Sequence, residues 1–261
     1  MFVRNIRLMD VCTIDPEAIM ELWYFQKGFN YSQDGPGNRL VYHLCGCNMR
    51  CPWCSNPEGM KRYEDKAQHM PVEKVAKAII SAKPMYFEGG GLTLTGGEAT
   101  MQFDAVKALL TMVKEAGVHT CMETNASHPR LPELFPLLDV LIADFKHPVD
   151  EAHKAWTGIS NEQVRRNLTA ASQYGMPLQL RVPLVHGVND TDEALDGFKA
   201  FFAGINREGM TLEFLRYHEY GKEKWQKLGL QYQMENAFVA ENRAQAFENA
   251  CREAGVCVVR T

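Results

Sequence analysis

The chain has 261 residues, 46% of them hydrophobic and 23% charged, with a formal net charge of -4. That is enough apolar material for one sizeable core, and a second full domain is not expected. Acids and bases are interspersed, so there is no broad basic face of the kind nucleic acid demands. The opening MFVRNIRLMD breaks its apolar residues with Arg4, Arg7 and Asp10, and no later stretch is long enough to span a bilayer. The expectation is a cytoplasmic protein with no membrane partner, in which clustered cysteines hold metal or do catalysis rather than form disulfides.

In chain order, residues 13–33 come first. Ile19, Met20, Leu22, Trp23, Tyr24 and Phe25 are too apolar for a solvated linker, so this segment either covers the body of the protein or meets a partner. Strand patterns follow at Leu40–Leu44, Gly91–Thr95, Val118–Met122, Val140–Phe145, Leu178–Leu184 and Thr211–Leu215, with Val256–Val259 as a seventh. Between them run amphipathic helices. One carries Val72, Val75, Ala76, Ile79 and Ile80 on a single face, the next Phe103, Val106, Leu109, Leu110 and Val113 before Gly117, and a third Val164, Leu168 and Ala171 before Gly175. Strands separated by helices predict a parallel α/β sheet, open or curled into a partial barrel.

The unusual residues fall at the carboxyl ends of these strands. HLCGCNMRCPWCSNPEG follows the first, Gly96-Gly97-Glu98 the second and Glu123-Thr124-Asn125 the third; Asp144 and Lys146 end the fourth, and His218 follows the sixth. In parallel barrels that rim is the active face. Cys47, Cys51 and Cys54 have the spacing C-x3-C-x2-C, three thiolates from one loop. A structural zinc site wants four closed ligands, whereas an iron-sulfur cube bound by three cysteines keeps one iron free. Zinc with Cys45 or His43 as fourth ligand is the alternative. Cys45 packs or lines the pocket, and Cys12, Cys121, Cys251 and Cys257 read as small buried residues. Gly96-Gly97 alone would be an ordinary turn. Arg181, in an otherwise apolar strand, needs an anion or a neighbouring acid. His218 could equally sit at the surface, bonded to its neighbours.

Together with DGPGNR at 34–39, TLTGGEAT at 93–100, HTCMETNA at 119–126, ADFKHP at 143–148, RVPLVHGVND at 181–190 and YHEYGKEKW at 217–225, the cysteine loop resembles the glycyl radical enzyme activating enzymes of the radical S-adenosylmethionine (SAM) superfamily. The resemblance runs from about Asp34 to the last strand. It implies a partial (β/α)6 TIM-like barrel, a [4Fe-4S] cluster on Cys47, Cys51 and Cys54, and S-adenosylmethionine on the open iron. Trp53 would lie near the adenine, since a residue between two ligands of an exposed loop has little core to join. Gly96, Gly97 and Glu98 would meet the methionine ammonium, with small residues where a ligand approaches the main chain.

By the same resemblance Arg181 and His218 would contact the cofactor, Lys146 would lie beside it, and Asp34 would sit near an entering glycine loop. Glu123, Thr124 and Asp144 fall where a family member binds a monovalent cation, although Glu123 stands in place of an aspartate. Ser55 likewise replaces a histidine. The implied activity is reductive cleavage of S-adenosylmethionine to a radical that takes a Cα hydrogen from a glycine of a partner glycyl radical enzyme. The whole chain, 1–261, reads as a single radical SAM domain. Further cysteine runs are lacking, so no ferredoxin-like insert is expected, and a separate flavodoxin or ferredoxin would supply the electron. Against the family, residues 13–33 look like an insertion. The alternatives are a radical SAM enzyme acting directly on a small molecule or peptide, and a zinc-stabilised binding module.

Overall fold

A computed structural model of the chain describes residues 20–31, 33–61 and 66–260. Nine strands form one sheet: β1 (Glu21–Tyr31), β2 (Asn38–Leu44), β3 (Gln68–Pro71), β4 (Gly91–Gly96), β5 (His119–Thr124), β6 (Val140–Asp144), β7 (Leu178–Leu184), β8 (Met210–Arg216) and β9 (Val258–Val259). Their spatial order is β3-β1-β2-β4-β5-β6-β7-β8-β9. From β2 to β9 every pairing is parallel, while β1 is antiparallel to both β2 and β3. The sheet does not close. Its six long parallel strands match the expected open α/β barrel, and β9 is a two-residue remnant of the seventh.

Seven helices are described: α1 (Val72–Ser81), α2 (Phe103–Glu115), α3 (Asp150–Thr157), α4 (Glu162–Tyr174), α5 (Asp192–Ala203), α6 (Lys222–Lys227) and α7 (Glu241–Glu253). In α1 the buried residues are Val72, Val75, Ala76 and Ile79, each large one contributing about 1.5–3 kcal/mol by leaving water. Chain reversal after α2 requires Gly117, at φ +71°. The sequence reading marked neither α3 nor α5, although Ala194, Phe198, Phe201 and Phe202 of α5 are buried at helical spacing. Only His153 and Thr157 are buried in α3, and α5 carries Gly197 mid-helix, where a Cβ would strike Pro148 at 2.8 Å. No described helix is long and apolar enough to cross a membrane.

Two expectations need correction. Residues 21–31 of the supposed covering segment are a strand of the sheet, with Leu22 and Tyr24 buried by alternation and β2 supplying the ladder. The polar alternation at Gln26, Lys27 and Asn30 hid it; residues 13–19 and Cys12 lie outside the described residues. Cys121 and Cys251 are buried as expected, but Cys257 is exposed, because the strand it introduces is a two-residue edge.

Candidate active site

The sheet brings the rim residues to one cavity of about 220 Å³. Lining it are Cys47, Cys51, Trp53 and Cys54 from the loop after β2, Gly96, Gly97 and Glu98 after β4, Glu123 and Thr124 on β5, Asp144 and Lys146 at the end of β6, Arg181 on β7 and His218 after β8. Register explains the convergence. Thr95, Glu123, Asp144 and Arg181 alternate with Leu94, Met122, Ala143 and Leu180, which pack in the core, so one face of the sheet is polar and the other apolar. Asp34 is not in this cavity. Its carboxylate accepts from Asn30 Nδ2, and its carbonyl accepts from Thr93 Oγ1 at 2.7 Å.

The cysteine loop is held on every side. Arg50 N donates to Thr157 O (2.8 Å) on α3, and the Arg50 guanidinium donates to the carbonyls of Cys47 (2.6 Å) and Met49 (2.7 Å). Trp225 Nε1 on α6 donates to Cys54 O at 2.9 Å. Asn125 Nδ2 donates to Asn48 Oδ1 (2.9 Å), Asn48 Nδ2 to Ser127 Oγ (2.8 Å), and Ser127 Oγ back to Asn125 Oδ1 (2.6 Å), a closed ring joining the loop to the end of β5. Sequence reading missed Asn48, Asn125, Ser127, Thr157 and Trp225 as supports. Their only signal was uncharged polar residues clustered beside the motifs.

Glu98 belongs to the same scaffold. It is 2% exposed, and its Oε1 accepts from Thr100 N (3.0 Å), Thr100 Oγ1 (2.6 Å) and Thr124 Oγ1 (2.8 Å), its Oε2 from Asn125 N (2.7 Å). The glycines before it serve the backbone. A Cβ at Gly97 would lie 2.2 Å from Gly59 O and 2.5 Å from Gly46 O, and one at Gly96, at φ +117°, would lie 2.3 Å from Leu44 N. Packing against the cysteine loop at Gly97 and against β2 at Gly96 requires small residues there, beside any ligand that approaches the main chain. Trp53 also has more core than expected. It is 8% exposed and meets Trp156 of α3 at 6.3 Å. Cys45 packs behind the cavity, its N donating to Trp23 O at 3.0 Å and its carbonyl accepting from Gln102 Nε2 at 3.0 Å.

The charges are arranged in pairs. Arg181 donates through Nη1 to Glu123 Oε1 (2.7 Å), through Nε to Glu213 Oε2 (3.2 Å) and through Nη2 to Gln33 O (2.9 Å). Burial works against its charge, but Glu123, Asp144 and Glu213 raise its pKa above the ordinary arginine value. The salt-bridge alternative for Arg181 is therefore what the structure contains. Lys146 Nζ lies 2.6 Å from Asp144 Oδ2; burial opposes its charge, and Asp144 with the Cys51 and Cys47 thiols lifts its pKa. His218 stacks on Tyr220 at 4.1 Å, and burial lowers its pKa, leaving a neutral imidazole.

Do these residues fit a cluster? Burial pushes the Cys47 thiol up to about 11 and the Cys51 thiol up to about 12, and raises Cys54. They become thiolates at neutral pH only against a bound positive centre. The loop is prepared for that charge: Met49 N donates to Cys47 Sγ and Asn56 N to Cys54 Sγ, each at 3.4 Å, and Lys146 favours all three thiolates. All three thiols line the pocket and come from one loop, which suits a cube that keeps one iron open rather than the four closed ligands of structural zinc. The residues expected to hold a monovalent cation are engaged with neighbouring side chains: Glu123 pairs with Arg181 and accepts from Thr95 Oγ1 (2.7 Å), Thr124 Oγ1 donates to Glu98, and Asp144 Oδ2 pairs with Lys146.

Glu123 gives this face a pH signature. Burial pushes its carboxyl up from 4.5 to about 7, against the pull of Arg181. Over that window the folded chain keeps a proton that the unfolded chain has lost, so stability falls as pH rises from about 4.5 to about 7. The Glu123→Gln variant, followed by thermal melts against pH, is expected to flatten that decline by about 1–3 kcal/mol.

An open parallel α/β sheet whose rim loop presents C-x3-C-x2-C into a polar pocket defines a radical SAM enzyme, and the superfamily's sequence profile matches residues 41–198. The chain belongs to the radical SAM superfamily, which implies a [4Fe-4S] cluster and S-adenosylmethionine. Within it, the chain is 34% identical over 230 residues to the pyruvate formate-lyase-activating enzyme of Streptococcus mutans, covering 85% of this chain and 87% of that one. Its fold resembles a domain of the pyruvate-formate lyase-activating enzyme of Bacteroides vulgatus (TM-score 0.54, 21% identity, 66% of this chain and 98% of that one). It also resembles Streptococcus suis SuiB bound to S-adenosylmethionine (TM-score 0.60, 15% identity, 84% and 49%).

Proposed function

We propose that this chain is a glycyl radical enzyme activating enzyme, and that Cys47, Cys51 and Cys54 hold its cluster. The observation that supports this best is the three thiols, two of them accepting backbone N–H bonds and all favoured as thiolates by Lys146, at the wall of a pocket that the motifs of β4–β8 complete. Held by Cys47, Cys51 and Cys54, the cluster would supply the single electron for reductive cleavage of S-adenosylmethionine, the radical chemistry by which a glycine Cα hydrogen of the partner would be removed.

The chain's own residues bind, orient and enclose. Trp53 offers a face for the adenine, with His218 across the pocket as a neutral hydrogen-bonding group. Lys146 and Arg181 put positive charge where a carboxylate would sit, and Gly96, Gly97 and Glu98 fix the main chain that meets the ammonium. Thr124 and Asp144 border the same space, and Asp34 lies on the path of the substrate loop. The nine strands of the described residues lie in one sheet, in keeping with a single radical SAM domain over 1–261. A flavodoxin or ferredoxin supplies the electron, and the compartment is the cytoplasm.

The experiment is anaerobic: the reconstituted, reduced protein is mixed with S-adenosylmethionine and the glycyl radical enzyme encoded nearest to it, and followed by electron paramagnetic resonance and quantification of 5'-deoxyadenosine. A glycyl doublet appearing with deoxyadenosine is expected. Deoxyadenosine without a doublet for any such partner would replace this reading with direct action on a small molecule or peptide.

A further inference from the structure

The polar face of the sheet continues past the pocket. Register places Gln26 opposite His43, Gly28 opposite Val41 and Asn30 opposite Arg39, and His43 opposite Thr95, whose hydroxyl bonds Glu123 in the pocket. Residues paired across a sheet share a face, so Gln26, Gly28 and Asn30 extend the face that carries the site. The other face of β1 is differently built: Lys27 lies over the rings of Tyr24 and Tyr42, and Phe29 meets Tyr86. At the β1 end the polar face opens to solvent, with Gln26 and Gly28 exposed. Beyond it β3 pairs only with Glu21–Tyr24, so among the described residues no strand flanks Phe25–Tyr31 on that side.

Gly28 is the anomaly on this face. Its φ is not in the left-handed region, and among the described residues a Cβ built on it would meet nothing within 4 Å. Neither backbone nor space requires glycine there, unlike Gly96 and Gly97. A mid-strand glycine costs about 0.5–1 kcal/mol relative to alanine, and such positions mark where another backbone comes close. A second observation points the same way. Among the described residues His43 Nδ1, on the neighbouring strand, is buried with no hydrogen-bond partner, and Glu58 Oε2 is buried with no hydrogen bond, only the 3.6 Å ion pair with Lys224. Buried polar atoms without partners are rare in a finished interior and common where a ligand completes the site.

We infer that the polar face of β1, centred on Gly28, is the track on which the main chain of an extended segment of the protein substrate lies as it runs to the pocket. This rests on the activating-enzyme reading. The occupant is main chain because the track lacks a side chain at its centre, and extended because it follows a strand. Its path is continuous with the site, since the chain leaving β1 is tied to pocket residue Arg181 through Gln33 O.

The test uses the reconstituted holoenzyme and the glycyl radical enzyme encoded nearest to it. A leucine is conformationally allowed at position 28, so Gly28→Leu folds and fills the track. The expected result is a fall of about tenfold or more in the glycyl doublet, with a raised apparent KM for the partner, while deoxyadenosine released without partner stays within about twofold of the parent. Lys27→Leu, on the other face of the same strand, leaves both unchanged. A Gly28→Leu protein that activates its partner like the parent overturns the inference, and so does one in which partner-free deoxyadenosine falls in step with the doublet. Failure of the activating-enzyme reading shows separately, as a parent protein that releases deoxyadenosine but gives no doublet.

Discussion

A Cys51→Ala protein is expected to come out of anaerobic reconstitution colourless, with iron falling from about four atoms per chain to near none, and to cleave no S-adenosylmethionine. The fold should survive. Cys51 is 7% exposed and its thiol makes no hydrogen bond among the described residues, while its neighbours hold the loop through Arg50 N to Thr157 O and Trp225 Nε1 to Cys54 O. Removing one buried sulfur therefore costs on the order of 1 kcal/mol, visible as a small shift of the melting temperature. Cys45→Ala is the informative comparison. Its side chain packs behind the cavity, so the iron content should stay at the parent level; loss of metal from Cys45→Ala, or a colourless parent carrying one zinc, would sink the cluster assignment in favour of a four-ligand zinc site.

The same contrast shows what could be read from the sequence. Periodicity located the six long parallel strands and three of the helices, because each buries an apolar stripe that recurs at the period of its element. It missed β1, whose alternation is masked by Gln26, Lys27 and Asn30, and α5, whose apolar stripe is interrupted by Gly197, a residue that Pro148 beside it requires. Strand ends located the pocket residues, since a parallel sheet brings its carboxyl ends to one rim. Their partners were invisible. Arg181 gave no sign that Glu123, 58 residues away, and Glu213 would pair with it. The glycines at 96 and 97 also answer to contacts the sequence hid, since a Cβ at Gly97 would strike Gly46 and Gly59 and one at Gly96 would strike Leu44 on the neighbouring strand.

Glu98 carries the second large effect. Four donors from three residues, Thr100, Thr124 and Asn125, end on one carboxylate that water barely reaches. Glu98→Ala strands all four, and buried donors left unpaired cost about 1–3 kcal/mol each, softened by relaxation, so a total loss of about 3–5 kcal/mol is expected. For a chain of this size that is a drop of roughly 10 °C in the midpoint of a thermal melt. The damage also reaches the cluster loop. Asn125 is oriented by Glu98 through its N–H and in turn holds Asn48 between the first two cysteines. Glu98→Ala should therefore lose iron to a chelator about tenfold or more faster than the parent, as removal of outer hydrogen bonds does in metal sites. Ser127→Ala separates the two effects. It opens the Asn48-Ser127-Asn125 ring but leaves the Glu98 bonds intact, so iron loss should quicken while the melt moves by only about 1 kcal/mol. If Glu98→Ala lowers the melt yet holds its iron as the parent does, Glu98 stabilises the sheet without positioning the loop, and the link from β4 through β5 to the cysteines is broken.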